Sequence, residues 1–188
     1  MSAWHSIPIY KTMSSNVFQR LYDAYKHWPR RARWPLEWMF FVILFVLASG
    51  WVSRHMLDTQ TPAPVAEFTS LSGTPIRLDW QNEEPHLIYF FAPWCGICRI
   101  SMPGLNLIPT DDIQIYAVAL DFETQAEVEQ FVADVGYEGA VLLGDSHIRN
   151  KFQIRGYPSY YVIQKGQIQH RDQGLSTPPG LWLRTRGL

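Results

Sequence analysis

Both cysteines of the chain lie close together, with only Gly96 and Ile97 between Cys95 and Cys98. Two cysteines three positions apart at the start of a helix lie on one helix face, close enough to form a disulfide. The N-terminus of a helix favours an anion, because its first backbone N–H groups have no partner, so the Cys95 thiol should ionise readily. We therefore expect Cys95 to be the nucleophile that attacks a disulfide and Cys98 to resolve the mixed disulfide.

Two other roles are open to this cysteine pair. One is a purely structural disulfide, but a bond that closes so short a loop restrains the unfolded chain little and stabilises weakly. The other is metal binding, because Cys-x-x-Cys is also half of a zinc or copper site. The six histidines are scattered, and none lies beside the cysteines in the sequence. Redox chemistry is therefore the favoured interpretation, with no metal ion and no cofactor.

The elements that must position the cysteines follow from the sequence around them. Residues 87–92 form a continuous apolar run, typical of a strand covered on both faces, that leads directly into the motif. A helix is expected from Cys95 toward Leu107, interrupted near Pro103. A second buried strand is expected over residues 113–120, and Thr124 is placed to cap the helix that follows it.

Shorter elements complete the predicted fold. A hairpin over residues 68–78, a helix over 145–152 and strands over 140–143, 160–164 and 167–170 are expected, and Ser176 with Pro178 can open a C-terminal helix. Strands that alternate with helices predict an α/β fold with a central mixed sheet and helices on both faces.

A proline at the start of a predicted core strand carries a further signal. Pro158 donates no hydrogen bond to a strand ladder, so its place before residues 159–163 needs an explanation. Together with the cysteine pair, this segment resembles the thioredoxin superfamily. The resemblance implies a thioredoxin-like fold, a cis Tyr157–Pro158 bond that faces the cysteines, and Tyr157 backbone groups that pair with an extended substrate. Trp94 should shield the cysteines and offer an apolar contact, so Trp94, Tyr157 and Pro158 form the predicted substrate-binding set; a trans proline is the alternative.

A narrower resemblance covers roughly residues 66–188. The hairpin, an inserted strand and helix, and the N-terminal anchor described below look like the TlpA-like branch, which includes tethered reductases of cytochrome c maturation. Residues 89–99, with the ending at residues 180–184, are most similar to the D-type proteins of the copper-sensitivity suppressor group.

Two departures from the family pattern bear on mechanism. Thioredoxin carries a buried Asp six residues before its first cysteine, where this chain has Tyr89, so the proton acceptor for Cys98 stays open, with Asp121 and Glu123 as candidates. Strong oxidants of the superfamily tend to carry a His between the cysteines. Gly96 and Ile97 supply no such group, which favours a reductase or isomerase over a dithiol oxidase.

Charge and hydropathy predict an anchor before the folded domain. Residues 1–35 carry six Lys and Arg and one acid, whereas residues 53–188 carry ten Lys and Arg and fifteen acids. The apolar residues 36–52 between them span roughly 25 Å as a helix, the short end of what a bilayer needs. The basic flank predicts a cytoplasmic leader over residues 1–35, an inner-membrane span over 36–52, a linker over 53–65 and a periplasmic thioredoxin-like domain over 66–188. A buried core helix and a signal peptide cleaved after Gly50 are the alternatives.

The sequence thus predicts a membrane-anchored periplasmic thiol-disulfide oxidoreductase that reduces or isomerises disulfides of exported proteins. A copper-binding thioredoxin-like module and a dithiol oxidase are the alternative functions. A reductase in an oxidising compartment needs an electron donor, so a membrane thiol-reductant transporter is an implied partner beside the exported thiol proteins. Nucleic-acid binding has no support in the sequence, because the predicted domain is acidic and shows no basic face.

Overall fold

The computed structural model describes residues 30–81, 83–110, 113–175 and Gly180. The chain divides into two units, Met1–Trp51 and Val52–Leu188. Helix α1 (Arg30–Val52) includes Pro35, and its large apolar side chains from Trp38 to Leu47 are exposed. In the described part of the chain, no helix combines the length and the apolar character needed to cross a membrane.

A seven-stranded sheet forms the centre of the second unit, in the order β2-β1-β5-β4-β3-β6-β7. Its strands are β1 (Ala66–Ser70), β2 (Pro75–Leu78), β3 (His86–Phe91), β4 (Gln114–Ala119), β5 (Ala140–Leu143), β6 (Ser159–Gln164) and β7 (Gln167–Gln173). Strand β4 runs parallel to β3 and to β5, and every other neighbouring pair is antiparallel. The mixed sheet and the β1–β2 hairpin confirm the sequence prediction.

Strand β3 is buried along its whole length, as its apolar sequence predicts. Leu87, Tyr89 and Phe91 contribute to the core on one face of the sheet, whereas Ile88 and Phe90 contribute to the core on the other face. Burial of each large apolar side chain stabilises the fold by about 1.5–3 kcal/mol. A strand held from both sides fixes the position of the residues that follow Phe91.

Helices cover both faces of the sheet, which confirms the predicted layering. Helix α2 (Gly96–Ser101), the 3-10 helix Met102–Leu107 and helix α3 (Gln125–Val135) lie on one face, and helix α4 (Ser146–Lys151) lies on the other. Pro103 stands in the first turn of the 3-10 helix, where its missing N–H ends the α-helical pattern at the predicted place. Thr124 caps α3 by accepting a hydrogen bond from the Glu127 N–H at 3.3 Å. Apart from Gly180, the predicted C-terminal helix lies outside the described residues.

Residues 56–63, here called the strap, pack against β7 where the sequence predicts a semi-extended linker. The Gln60 N–H donates to the Ile168 carbonyl at 2.7 Å, and the Ile168 N–H donates to the Thr61 carbonyl at 3.0 Å. Met56, only 3% exposed, and Ala63 join the core beneath α4. The difference from a free linker has a physical cause, because the strap pairs with backbone groups at the edge of β7 and buries an apolar side chain.

Candidate functional site

The cysteine pair lies at the start of α2, directly after the central strand. The Cys95 N–H donates to the Ala92 carbonyl at 3.0 Å, which turns the chain from the end of β3 into the helix. Cys95 is the N-cap residue, and its Sγ accepts a hydrogen bond from the Cys98 N–H at 3.1 Å. Cys95 and Cys98 form a disulfide with their Cα atoms 5.3 Å apart. The N-cap position places Cys95 Sγ among the unpaired N–H groups that favour a thiolate.

The two cysteines differ in their access to solvent. Cys95 is 7% exposed, whereas Cys98 is 0% exposed and belongs to the core shared by α2 and α3. Of the two cysteines, only Cys95 therefore keeps any surface open to a partner molecule. This asymmetry allows intermolecular attack at Cys95 and leaves Cys98 to react within the chain.

Two of the predicted substrate-binding residues, Trp94 and Tyr157, are in contact, and Tyr157 packs against the core cluster that contains both cysteines. Tyr157–Pro158 is a cis peptide bond, as the resemblance implies. Pro158 is buried, and its carbonyl accepts a hydrogen bond from the Gly174 N–H at 2.8 Å. Trp94 is 64% exposed, and its ring meets the Tyr157 ring edge-on with centroids 5.6 Å apart. Trp94 and Tyr157 therefore form a joined aromatic surface next to Cys95.

Asp121 connects these two aromatic residues. Its backbone carbonyl accepts a hydrogen bond from Trp94 Nε1 at 2.9 Å, and its Oδ2 accepts one from the Tyr157 hydroxyl at 2.9 Å. Arg149 Nε lies 3.4 Å from the same Oδ2. Burial, and then the adjacent Asp121 carboxylate, raise the pKa of Tyr157 well above its usual value. The phenol therefore stays a neutral donor at physiological pH.

Tyr89 stands where the family pattern has a buried Asp, so no carboxylate lies at this position near the cysteine helix. Its hydroxyl lies 2.6 Å from Ser101 Oγ, and Ser101 in turn donates to the Ile97 carbonyl at 3.0 Å. Burial raises the pKa of Tyr89 to about 12, and the Ser101 hydrogen bond opposes this only in part. Tyr89 is therefore neutral and is no base for Cys98 at physiological pH.

The two carboxylates that the sequence offered as proton acceptors have separate surroundings. Asp121 is held by Tyr157 and Arg149, as described above. Glu123 is exposed, and its backbone N–H donates to the Glu127 carboxylate at 3.0 Å. The structure thus brings Asp121 to the aromatic residues of the site and leaves Glu123 at the start of α3. Among the described residues, no group of three His, Cys, Asp or Glu side chains is placed to hold a metal ion.

Sequence reasoning missed the contacts of Asp121 with Trp94, Tyr157 and Arg149, and it missed Ser101. A signal for Asp121 was present, since it follows β4 as the cysteine motif follows β3. The carboxyl ends of two adjacent parallel strands meet at one edge of a sheet, where sites commonly form. No comparable signal exists for Arg149, whose contact with Asp121 depends on α4 lying across the sheet.

Comparison with known proteins agrees with this architecture. Residues 77–136 match the family model described as Thioredoxin. A thioredoxin-like protein of Haemophilus influenzae is 28% identical over 116 residues, which are 61% of this chain and 70% of that protein. The thiol:disulfide interchange protein HelX of Rhodobacter capsulatus is 27% identical over 154 residues, covering 72% of this chain and 86% of HelX. A proposed thiol:disulfide interchange protein DsbE of Chlorobium tepidum has a TM-score of 0.63 at 23% identity, covering 70% of this chain and 97% of that one. The thioredoxin-like α/β fold predicted from the sequence is confirmed.

Proposed function

We propose that this chain, thioredoxin-like in fold and similar in sequence to thiol:disulfide interchange proteins, is an oxidoreductase that reduces disulfides of exported proteins. The observation that carries the proposal is the asymmetry of the disulfide. Cys95 caps a helix and keeps 7% of its surface exposed, whereas Cys98 is fully buried one turn later. A structural staple needs no such difference, but a nucleophile and a resolving thiol do.

The reaction begins from the reduced dithiol. The Cys95 thiolate attacks one sulfur of a partner disulfide, so that a bond forms between Cys95 Sγ and the partner and the second partner sulfur leaves as a thiolate. The helix N-terminus stabilises the attacking thiolate, because the Cys98 N–H already points at Cys95 Sγ at 3.1 Å. Cys98 is disfavoured as the group that attacks the partner disulfide, because its side chain is buried.

Resolution then takes place inside the chain. Cys98 loses its proton and its thiolate attacks Cys95 Sγ, which breaks the mixed disulfide and forms the Cys95–Cys98 disulfide. The first partner sulfur leaves as a thiolate and takes up a proton, equivalent to the one that Cys98 lost. Two electrons have passed to the partner, so the oxidised chain needs two electrons and two protons to react again. A membrane dithiol transporter that faces the same compartment is the class of donor that we propose.

The direction of electron flow rests on the residues between the cysteines. Gly96 and Ile97 offer no imidazole to stabilise the Cys95 thiolate and so to make the disulfide a strong oxidant. The measured reduction potential tests this assignment. A value near that of thioredoxin, about −270 mV, supports reduction, whereas one near about −120 mV identifies a dithiol oxidase.

We place the reaction outside the cytoplasm, on a TlpA-like anchored chain. The charge pattern of the sequence supports this proposal: residues 1–35 are basic, residues 36–52 are apolar and residues 53–188 are acidic. The side chains of Phe41, Phe45 and Leu47 on α1 are exposed and have the character that lipid tails would cover. Mass spectrometry of the mature protein provides the test, since a chain that begins at Trp51 contradicts the anchor.

Substrate trapping tests the reaction itself. A Cys98→Ala variant keeps the nucleophile but has no resolving thiol, so it should accumulate mixed disulfides with exported proteins. These adducts should disappear with dithiothreitol. The matched control is the Cys95→Ala, Cys98→Ala double variant, which should trap nothing. If the single variant traps no more than the double variant, the proposed exchange reaction is wrong.

A further inference from the structure

The side chain of Asp121, in the loop after β4, contacts both helix α4 and the segment that leads into β6. Asp121 follows β4, Arg149 lies on α4, and Tyr157 precedes β6, so three distant parts of the chain converge there. The Asp121 Oδ2 accepts the Tyr157 hydroxyl at 2.9 Å and lies 3.4 Å from Arg149 Nε. The backbone carbonyl of the same residue holds Trp94 Nε1 at 2.9 Å.

The backbone of Asp121 has a positive φ angle, and its carbonyl and its carboxylate accept hydrogen bonds from two different residues. Its φ angle is 51°, in the left-handed region that few residues other than glycine adopt, although Asp tolerates it better than most. In this conformation the carbonyl and the carboxylate of Asp121 are bonded to different aromatic residues at the same time. The Arg149 ion pair adds little stability, because its side chains are 42% and 35% exposed.

We propose that Asp121 is a positioning residue, which holds Trp94 and Tyr157 as one rigid aromatic wall against which a protein disulfide docks at Cys95. The Arg149 guanidinium, 3.4 Å from the same carboxylate, adds an opposite charge beside it. Trp94 is 64% exposed and its ring is only 5.6 Å from that of Tyr157, so a partner chain that reaches Cys95 meets both rings. Fixing both rings beforehand lowers the entropy lost when the partner binds. The inference rests on the proposed exchange function and adds to it a preference for protein disulfides over small ones.

Three substitutions separate the contacts. Asp121→Gly removes the carboxylate but keeps the backbone carbonyl for Trp94 and accepts the positive φ. Asp121→Asn keeps an oxygen that can accept from Tyr157, and Tyr157→Phe removes only the hydroxyl. The matched controls are Tyr160→Phe and Asp172→Asn, because the Tyr160 hydroxyl donates to Asp172 Oδ2 at 3.2 Å between β6 and β7 in the same sheet.

The measurement is the steady-state reduction of insulin, a protein disulfide, and of glutathione disulfide by the full chain, with dithiothreitol as the electron donor and the rate without the chain subtracted. Asp121→Gly and Tyr157→Phe should each raise KM for insulin about three- to tenfold, with a smaller change in kcat, since each loses a hydrogen bond that holds the wall. Their KM for glutathione disulfide should rise less. Asp121→Asn should keep KM for insulin close to that of the unmodified chain. The controls Tyr160→Phe and Asp172→Asn should leave KM for insulin unchanged.

A double variant checks that the two residues act through one contact. Asp121→Gly combined with Tyr157→Phe should raise KM no further than either change alone. Additive effects, or KM values for insulin equal to those of the controls, overturn the positioning role while the exchange function stands. If the unmodified chain fails to reduce insulin at all, the proposed function fails and the inference fails with it.

Discussion

The Tyr89 hydroxyl lies 2.6 Å from Ser101 Oγ, so a neutral hydrogen bond ties the central strand to the helix that carries the cysteines. Thioredoxin has a carboxylate where this chain has Tyr89, and here the neighbouring group is a hydroxyl that itself donates to the Ile97 carbonyl. The buried polar group beneath α2 therefore has a partner without any charge. The contribution of this hydrogen bond to stability can be measured by mutation, because Ser101 has a second partner in the Ile97 carbonyl.

Ser101→Ala should destabilise the fold more than Tyr89→Phe. The first change leaves a buried phenol hydroxyl without its partner, at a cost of about 1–3 kcal/mol, whereas the second leaves Ser101 still bonded to Ile97 and costs about 0.5–1.5 kcal/mol. Urea unfolding of the oxidised protein measures both free energies. Equal losses would show that the phenol finds another partner, and a larger loss for Tyr89→Phe contradicts the prediction.

The stability of the domain should fall in mild acid because of His86. This side chain is 4% exposed, lies between Trp80 and Tyr116, and has no hydrogen-bond partner on either ring nitrogen within the described residues. Burial lowers the pKa of His86 below 6.5, an effect that Glu84 opposes in part. The folded state thus disfavours the proton that the unfolded state binds below about pH 6.5, so stability is full above that pH and falls as the pH drops toward the folded pKa.

Urea unfolding between pH 7.5 and pH 5 measures this loss, with a contribution from His86 of at most about 1.4 kcal/mol per pH unit. The His86→Phe variant keeps an aromatic ring at the position and should show a shallower pH dependence. The control is His147→Gln, since His147 is exposed on α4. If the three proteins lose stability in parallel, His86 is not the cause.

In the reduced protein, Cys95 should react with iodoacetamide much faster than Cys98. Cys95 keeps 7% of its surface exposed at the helix N-cap, whereas Cys98 is 0% exposed in the core, so both the thiolate fraction and the access favour Cys95. A ratio of about ten or more is expected. Peptide mass spectrometry after brief labelling gives the two rates. Equal labelling of the folded protein would contradict the assignment of nucleophile and resolving thiol, and labelling in urea provides the reference for two accessible thiols.

Met56→Ala should destabilise the domain by about 2–5 kcal/mol, the usual cost of truncating a buried methionine. Met56 is 3% exposed and joins the core beneath α4, although it lies before the predicted start of the domain. Thermal unfolding of the full chain measures the loss. Met39→Ala is the matched control, because Met39 is 57% exposed on α1. A melting temperature unchanged by Met56→Ala would mean that the strap adds nothing to the stability of the domain.

The sequence predicted most of the fold because the signals involved are local. The apolar run before Cys95, the capping Thr124 and the proline after Tyr157 each act within a few residues, and each lies where it was expected. The contact of Arg149 with Asp121 was beyond sequence reasoning, because it depends on how α4 lies on the sheet. Met56 was missed for a related reason, since a short polar segment gives no sign that the edge of a distant strand will accept it.

The strap also covers part of one edge of the sheet. Its residues pair with β7, so one edge of the described sheet is already occupied by the chain itself. The opposite edge is β2, a four-residue strand that begins with Pro75, which has no N–H to donate, and that carries an exposed Arg77. The strap and Pro75 thus reduce the number of free backbone groups that the two edges offer to a neighbouring strand. A copy of the domain that approaches either edge therefore finds fewer unpaired N–H and C=O groups with which to extend the sheet.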